Sequence, residues 1–235
     1  MSPILIAGLW RQRLASPLRV ALAALWVLGP ALLMGSVHNL GLTALGDGFP
    51  ITLIFGVGMI GQDVSSGVLQ LVFARPVRRW EYVLSRWAAV ALGASALSLI
   101  QVALGVALAA ARHGAPETSS VAWFLLGREF EIFGLAGSMA LFSSAMGGVG
   151  DVLVYVLLQV GTGLLQMIGQ FRQSEFMLGL AREAGALVSP RIEVAQFMAG
   201  SPSWFAIATY ASNLVLCLCV AVWLIDRKEL SYASG

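Results

Sequence analysis

The sequence predicts an all-α protein that crosses a membrane several times, and two observations support this prediction. Of its 235 residues, 58% are hydrophobic and only 11% are charged, whereas a soluble domain is about half apolar and about a quarter charged. The apolar residues also gather in runs of about 20, which is the length a helix needs to cross the hydrocarbon core of a bilayer. A soluble fold of this length could not bury so much apolar surface and keep a wettable exterior.

Six such runs can be separated along the chain. We predict membrane-spanning helices at residues 19–37, 42–62, 87–111, 128–146, 149–168 and 204–225. The second is the weakest, because Asp47 and Pro50 interrupt its outer half. If the N-terminus is cytoplasmic, nine basic residues fall in inner segments and five in outer ones. Basic residues are retained on the cytoplasmic side, so both termini are predicted to lie there.

Residues 1–18 precede the first predicted span and are predicted to form a helix that lies in the membrane interface. Trp10 is suited to the headgroup level, and Arg11 and Arg13 can meet anionic lipid. A basic leader without regular structure is the alternative interpretation.

Residues 168–203 are too long for a simple connection between two spans. Phe176, Leu180, Ala184 and Leu187 recur at helical spacing, with polar residues between them. This pattern predicts amphipathic helices that lie on the outer leaflet or dip into it. An irregular outer loop is the alternative.

The most informative segment is residues 63–79, between the second and third predicted spans. Asp63 and Ser66 are suited to cap a helix N-terminus, and a short apolar run follows them. Pro76 ends this run, since the residue before a proline is pushed out of the helical region. Trp80 and Tyr82 then mark the membrane interface. The pattern predicts a short amphipathic helix that a partner protein could bind in a groove, with a solvated basic loop as the alternative.

The same segment resembles the hallmark of ABC-2 type transporter permeases. The likeness lies in the run Asp63-x3-Gly67-x-Leu69-x-Leu71, followed by Arg75-Pro76-Val77-x-Arg79-x2-Tyr82. Two departures are Val68, where the family usually has Thr or Ser, and Asp63, where it usually has Glu. The resemblance implies a coupling helix over residues 65–75 that docks on an ATPase subunit. The residues implied in docking are Asp63, Ser66, Gly67, Leu69, Leu71, Arg75, Pro76, Val77 and Arg79.

The resemblance implies the permease subunit of an ABC exporter in a bacterial or archaeal plasma membrane. Two permeases and two separate ATPase subunits are implied in the assembly. The sequence contains no G-x-x-x-x-G-K-[ST] loop, so we expect ATP and Mg²⁺ to be bound by the ATPase and this chain to have no cofactor and no enzymatic activity. A mechanical transmission or assembly subunit is one alternative, and a secondary carrier is another. The net charge of +2 gives no reason to expect nucleic acid as a partner.

Several polar residues fall inside or beside the predicted spans. Arg128 and Glu131 are three positions apart and can pair on one helix face. We expect them to form a wetted rim, because the fourth span is predicted to begin at Arg128. The alternative is that they lie inside the bilayer, where charge is costly and they would be candidates for a functional site. Gln101 and Gln159 are candidates for a substrate path or for hydrogen bonds between helices. Asp151 is expected to cap the fifth span. The isolated histidines, and two cysteines that are two positions apart, predict no metal site.

Overall fold

The computed structural model of this protein describes residues 3–37, 40–74, 77–112, 114–148, 150–190, 192 and 194–228. Every regular element within these ranges is helical, which confirms the all-α prediction. The α-helices are α1 Pro3–Leu14, α2 Pro17–Ser36, α3 Phe49–Gly56, α4 Gly61–Ser65, α5 Val68–Phe73, α6 Arg79–Arg112, α7 Thr118–Ala145, α8 Gly150–Arg172, α9 Glu175–Val188, α10 Val194–Met198 and α11 Trp204–Arg227.

Five segments in the described ranges are long and apolar enough to cross a membrane. They are Pro17–Ser36, Gly41–Ser65, Arg79–Arg112, Gly150–Arg172 and Trp204–Arg227. Helix α7 is 28 residues long but is not one of the five, because Arg128, Glu129 and Glu131 lie near its middle. A multi-pass membrane protein is therefore supported, while the fourth predicted span, residues 128–146 in α7, stays a prediction.

The second of these segments is a broken helix. A 3-10 helix at Gly41–Leu45 is followed by a turn with positive φ at Gly46, and α3 begins only at Phe49, with a proline in its first turn. Gly48 packs on Ile132, near the middle of α7. Helix α3 therefore starts inside the bundle and runs through only part of it.

Helix α6 is the central element. Its 34 residues span about 51 Å, and α1, α2, α3, α7 and α11 all pack against it. Small residues on α6 allow close approach: Gly105 contacts Met34 and the backbone of Ala31 on α2, and Gly93 contacts Phe55 on α3.

Helix α9 returns into the bundle antiparallel to α8. The turn between them has Gln173 at φ 51°, and Gly169 lies against Leu178. Near the end of α9, Ser189 Oγ is 3.1 Å from Tyr155 Oη, close to the start of α8. Since 14 helical residues span about 21 Å, α9 reaches well into the bundle. Pro190 then contacts Gly134, and α10 leads back along α7.

The bundle has two distinct ends. One, here called the α5 face, carries α1, α4, α5, the start of α6 and the end of α11. Arg79 Nη1 on α6 joins two of these elements by donating to the carbonyl oxygens of Ile225 at 2.9 Å and Asp226 at 2.6 Å. The opposite face carries the start of α7 and the turn between α8 and α9.

Candidate functional site

The α4–α5 segment, residues 61–73, forms the core of the candidate site at the α5 face. Gly67 has φ +72°, a left-handed conformation that suits glycine and lets the chain turn between the two short helices. Leu69 is 2% exposed and packs in the main core cluster, whereas Leu71 on the other side of α5 is 71% exposed. Val68 is also exposed. Leu69 thus anchors the segment in the core, while Leu71 projects from its surface.

The other residues implied in docking are distributed on both sides of this segment. Ser66 is exposed at the end of α4, and Val77 is half-buried. Arg79 lies over the ring of Phe73, with 5.6 Å between its Cζ and the ring centroid. Arg75 and Pro76 lie outside the described residues.

Asp63 is at the centre of a buried polar cluster that joins α4 to α6. Its Oδ2 accepts a hydrogen bond of 2.6 Å from Tyr82 Oη and forms an ion pair with Arg86 Nη2. Arg86 also lies against the Tyr82 ring. All three side chains are buried. Asp63 and Tyr82 therefore fix α4 on α6 rather than present a surface to a partner.

Three further contacts tie the α4–α5 segment and the turn before it to the rest of the bundle. Arg13 Nη1 on α1 donates to Gln62 Oε1 at 3.4 Å. Ser143 Oγ on α7 accepts hydrogen bonds from the backbone N–H groups of Ile60 at 3.0 Å and Gly61 at 2.9 Å. The backbone N–H of Gly58 donates to Asp151 Oδ2 on α8 at 2.8 Å. The segment is thus connected to four other helices, α1, α6, α7 and α8.

Asp151 does more than the predicted capping of the fifth span. Its Oδ1 accepts a hydrogen bond of 2.9 Å from the Val152 N–H at the start of α8, while Oδ2 binds Gly58.

Three residues of this site, Gln62, Ser143 and Arg86, are not candidates on sequence grounds. The sequence does contain a clue to Arg86. This residue follows Tyr82 by four positions, so the two side chains lie on the same face of α6.

A second polar cluster lies inside the bundle, around the middle of α7. Arg128 is 1% exposed and Glu131 is 4% exposed. Arg128 Nη2 donates to Gln101 Oε1 on α6, and Gln101 Nε2 donates to the carbonyl oxygen of Trp26 on α2 at 2.7 Å. Glu131 Oε2 accepts a hydrogen bond of 2.9 Å from the Gly48 N–H, just before α3 begins. A carboxylate at this helix start is favourable because it faces the positive end of the helix dipole.

The wetted rim expected at Arg128 and Glu131 is wrong. Helix α7 begins at Thr118, ten residues before Arg128, so both side chains lie within the helix and in the protein interior. The stretch 118–127, which is apolar from Val121 onward, belongs to the same helix, and the charge of Arg128 is compensated by neighbouring polar groups of the protein. Gln159 is half-buried, and its Nε2 donates to Tyr155 Oη at 2.8 Å.

The residues expected at the membrane interface differ from one another in exposure and contacts. Trp10 Nε1 donates to the carbonyl oxygen of Ala89 at 2.7 Å, which fixes α1 on α6. Arg11 and Trp80 are exposed, and Tyr82 is buried. Arg13 is 2% exposed. Burial lowers its pKa to about 10, so it remains positively charged at neutral pH.

The described residues contain no group of three or more His, Cys, Asp or Glu side chains that could hold a metal ion. Compared with known proteins, the sequence matches no family model and no curated protein. The site is thus defined by its geometry: a short helix with an exposed leucine, connected by polar side chains to helices that run through the bundle.

Proposed function

We propose that this chain is the transmembrane permease subunit of an ABC exporter and that separate ATPase subunits drive it through the α4–α5 segment. The observation that carries the proposal is the contrast between Leu69 and Leu71. One leucine anchors α5 in the core, and the other projects from the α5 face, where a groove on a partner could bind it.

In this proposal α7 is the fourth of six spans, and the α5 face is cytoplasmic. Charged side chains inside a membrane are costly unless they face the bundle interior and are paired. Arg128 and Glu131 meet that condition, since both are buried and hydrogen-bonded. Arg11 and Arg78 are exposed at the α5 face, which favours its cytoplasmic location. Both termini are then cytoplasmic, in a bacterial or archaeal plasma membrane.

The contacts of the α4–α5 segment suggest how motion would be transmitted. ATP and Mg²⁺ would be bound by the ATPase, whose closure would displace α5. Gln62, Asp63 and the backbone from Gly58 to Gly61 connect this displacement to α1, α6, α7 and α8. Because the Gly48 N–H at the start of α3 is hydrogen-bonded to Glu131 on α7, a shift of the segment would also reach the interior polar cluster. A second permease copy or a homologue would complete the translocation path.

The test is purification of the chain in mild detergent from its own membrane, followed by mass spectrometry and an ATPase assay. A P-loop ATPase at about one copy per chain is expected. Leu71→Asp places a charge in the apolar contact and should abolish this association, because an unpaired charge buried in an interface is costly.

The matched control is Phe171→Asp, which makes the same kind of change at an exposed apolar residue on the opposite face. It should retain the ATPase. If no ATPase accompanies the unmodified chain, or if Leu71→Asp leaves the association intact, the proposed docking helix is incorrect.

A second candidate function is force transmission to a partner on the opposite face, without solute transport. One observation favours it: large aromatic side chains are strongly exposed there. They are Phe171, Phe176, Trp204 and Phe205. A photo-crosslinker at position 176 should capture a defined protein partner if this function is correct. Crosslinks to lipid alone would contradict it and leave solute export as the proposal.

A further inference from the structure

An apolar groove of about 330 Å³ runs along one side of α2, between α2, α3 and α6. Its walls include Ala24 and Val27 from α2, Phe55 from α3 and Leu97 from α6. At the α5 end, its lining changes from apolar residues to two arginines, Arg13 and Arg19. Among the described residues, no acidic side chain lines it.

The two arginines are the unusual feature of this groove. Arg13 is almost fully buried, and its guanidinium makes one long hydrogen bond to Gln62 while its Nε has no hydrogen-bond partner in the described part of the chain. Arg19 is half-buried. Neither forms an ion pair with a described residue. The carboxylates of Asp63 and Asp151 offset part of the buried Arg13 charge, but the nearby Arg19 and Arg86 oppose this effect. An anion at this position would therefore relieve an electrostatic imbalance.

We propose that this groove binds one anionic phospholipid, with the phosphate between Arg13 and Arg19 and an acyl chain along α2. Guanidinium groups bind phosphate oxygens in a bidentate geometry. From Arg19 to Leu28 the groove follows α2 for about 14 Å, enough to hold the upper part of an acyl chain. Its volume is within the range of ligand sites, about 300–1,000 Å³.

This lipid site is independent of the proposed ATPase partner. It requires only that the α5 end of α2 lie at a membrane surface, as the polar end and apolar length of the groove indicate. A lipid bound there would contact α1, α2, α3 and α6 together, and so would stabilise the packing of α1 on the bundle. The occupant is identified by its chemistry: a phosphodiester with net negative charge and an alkyl chain.

The test is native mass spectrometry of the detergent-purified chain after incubation with equal amounts of phosphatidylglycerol and phosphatidylcholine. One phosphatidylglycerol per chain should be retained in preference to phosphatidylcholine. The double variant Arg13→Gln, Arg19→Gln should lower that retention by at least about tenfold, since two charge-assisted contacts are lost.

Two further variants separate lipid binding from loss of fold. Ala24→Phe fills the groove from an exposed position on α2 without changing any charge, and it should reduce retention to a similar extent. Arg172→Gln removes an exposed arginine at the far end of α8 and should leave retention unchanged.

The proposal would be overturned by equal retention of the two lipids, by retention in both groove variants, or by full displacement of the lipid with excess inorganic phosphate. A dimer that carries no lipid and dissociates on Ala24→Phe would also overturn it, because a second copy of the chain would then occupy the groove.

Discussion

Asp151 in α8 holds the backbone of Gly58, which lies 93 positions earlier in the chain, through a hydrogen bond of 2.8 Å. The other oxygen of the same carboxylate accepts the N–H of Val152. A single side chain therefore joins the start of one long helix to the turn that precedes the α4–α5 segment. Removing it should loosen that turn without exposing the main core.

We expect Asp151→Ala to increase amide hydrogen exchange in residues 57–67 while leaving α11 unchanged. A buried N–H without a partner costs about 1–3 kcal/mol, so the melting temperature in detergent should also fall by about 2–12 °C. Asp151→Asn keeps an acceptor oxygen and should recover much of the loss. Unchanged exchange in Asp151→Ala would show that Ser143 and the Gly148 N–H, which bonds the Gly61 carbonyl, hold the turn without Asp151.

Asp63→Ala should be among the most destabilising single changes in the chain. It leaves the Arg86 guanidinium buried without its carboxylate, which costs about 3–5 kcal/mol, and removes the acceptor of Tyr82. The melting temperature should fall by at least about 6 °C.

The control for Asp63 is the double variant Asp63→Leu, Arg86→Met, which replaces the pair by apolar groups of similar size. It should be more stable than Asp63→Ala, because no charge is left unpaired. If the double variant is the less stable of the two, the ion pair contributes through its geometry rather than through charge compensation.

Glu131→Ala should destabilise the start of α3 by leaving the Gly48 N–H without its acceptor and Arg128 with less compensation. Glu131→Gln retains an acceptor oxygen and should be clearly less harmful. Melting temperature and hydrogen exchange in residues 46–56 measure both effects. Equal behaviour of the two variants would indicate that the charge of Glu131, rather than its hydrogen bond to Gly48, determines the stability of this region.

Gly134→Ala should disrupt the return of the chain after α9. An added Cβ would lie 1.8 Å from the carbonyl oxygen of Pro190, so the backbone there must move. Such overpacking costs about 1–3 kcal/mol. Gly161→Ala in α8 is the matched control, because nothing lies within 4 Å of its added Cβ. It should be neutral or stabilising, by up to about 1 kcal/mol. Similar melting temperatures for both would contradict the close contact at Pro190.

The parts of this fold that could be predicted are those dictated by local pattern. Runs of apolar residues gave the long helices, and Asp47 and Pro50 indicated the interruption before α3. The apolar residues after Gly67 likewise indicated a short helix, which the structure contains as α5. The capping expected of Asp63 and Ser66 is wrong, because Gly67 is the N-cap of α5 and no side chain caps it. Each of these features depends on residues that are near one another in the chain.

The interior position of Arg128 could not be read in the same way. Hydropathy treats an arginine as the end of a span, whereas its cost here is offset by Gln101, 27 positions away, and by nearby acidic residues. The contact between Asp151 and Gly58 involves a backbone group, which has no sequence signature at all. The inward return of α9 likewise depends on close packing at Gly169 and Gly134. A glycine in the sequence does not indicate which residue will pack against it.

Helix α6 is about 51 Å long, well beyond the roughly 30 Å hydrocarbon thickness of a bilayer. If a continuous helix of this length moves as one rigid body, it acts as a lever arm. Rotation by about 10° around one end displaces the other by about 9 Å, from simple geometry on that length. Asp63 is attached to this lever near its first turn, through Tyr82 and Arg86. A small displacement of α4 would thus be amplified along α6 and be largest at the opposite face of the protein.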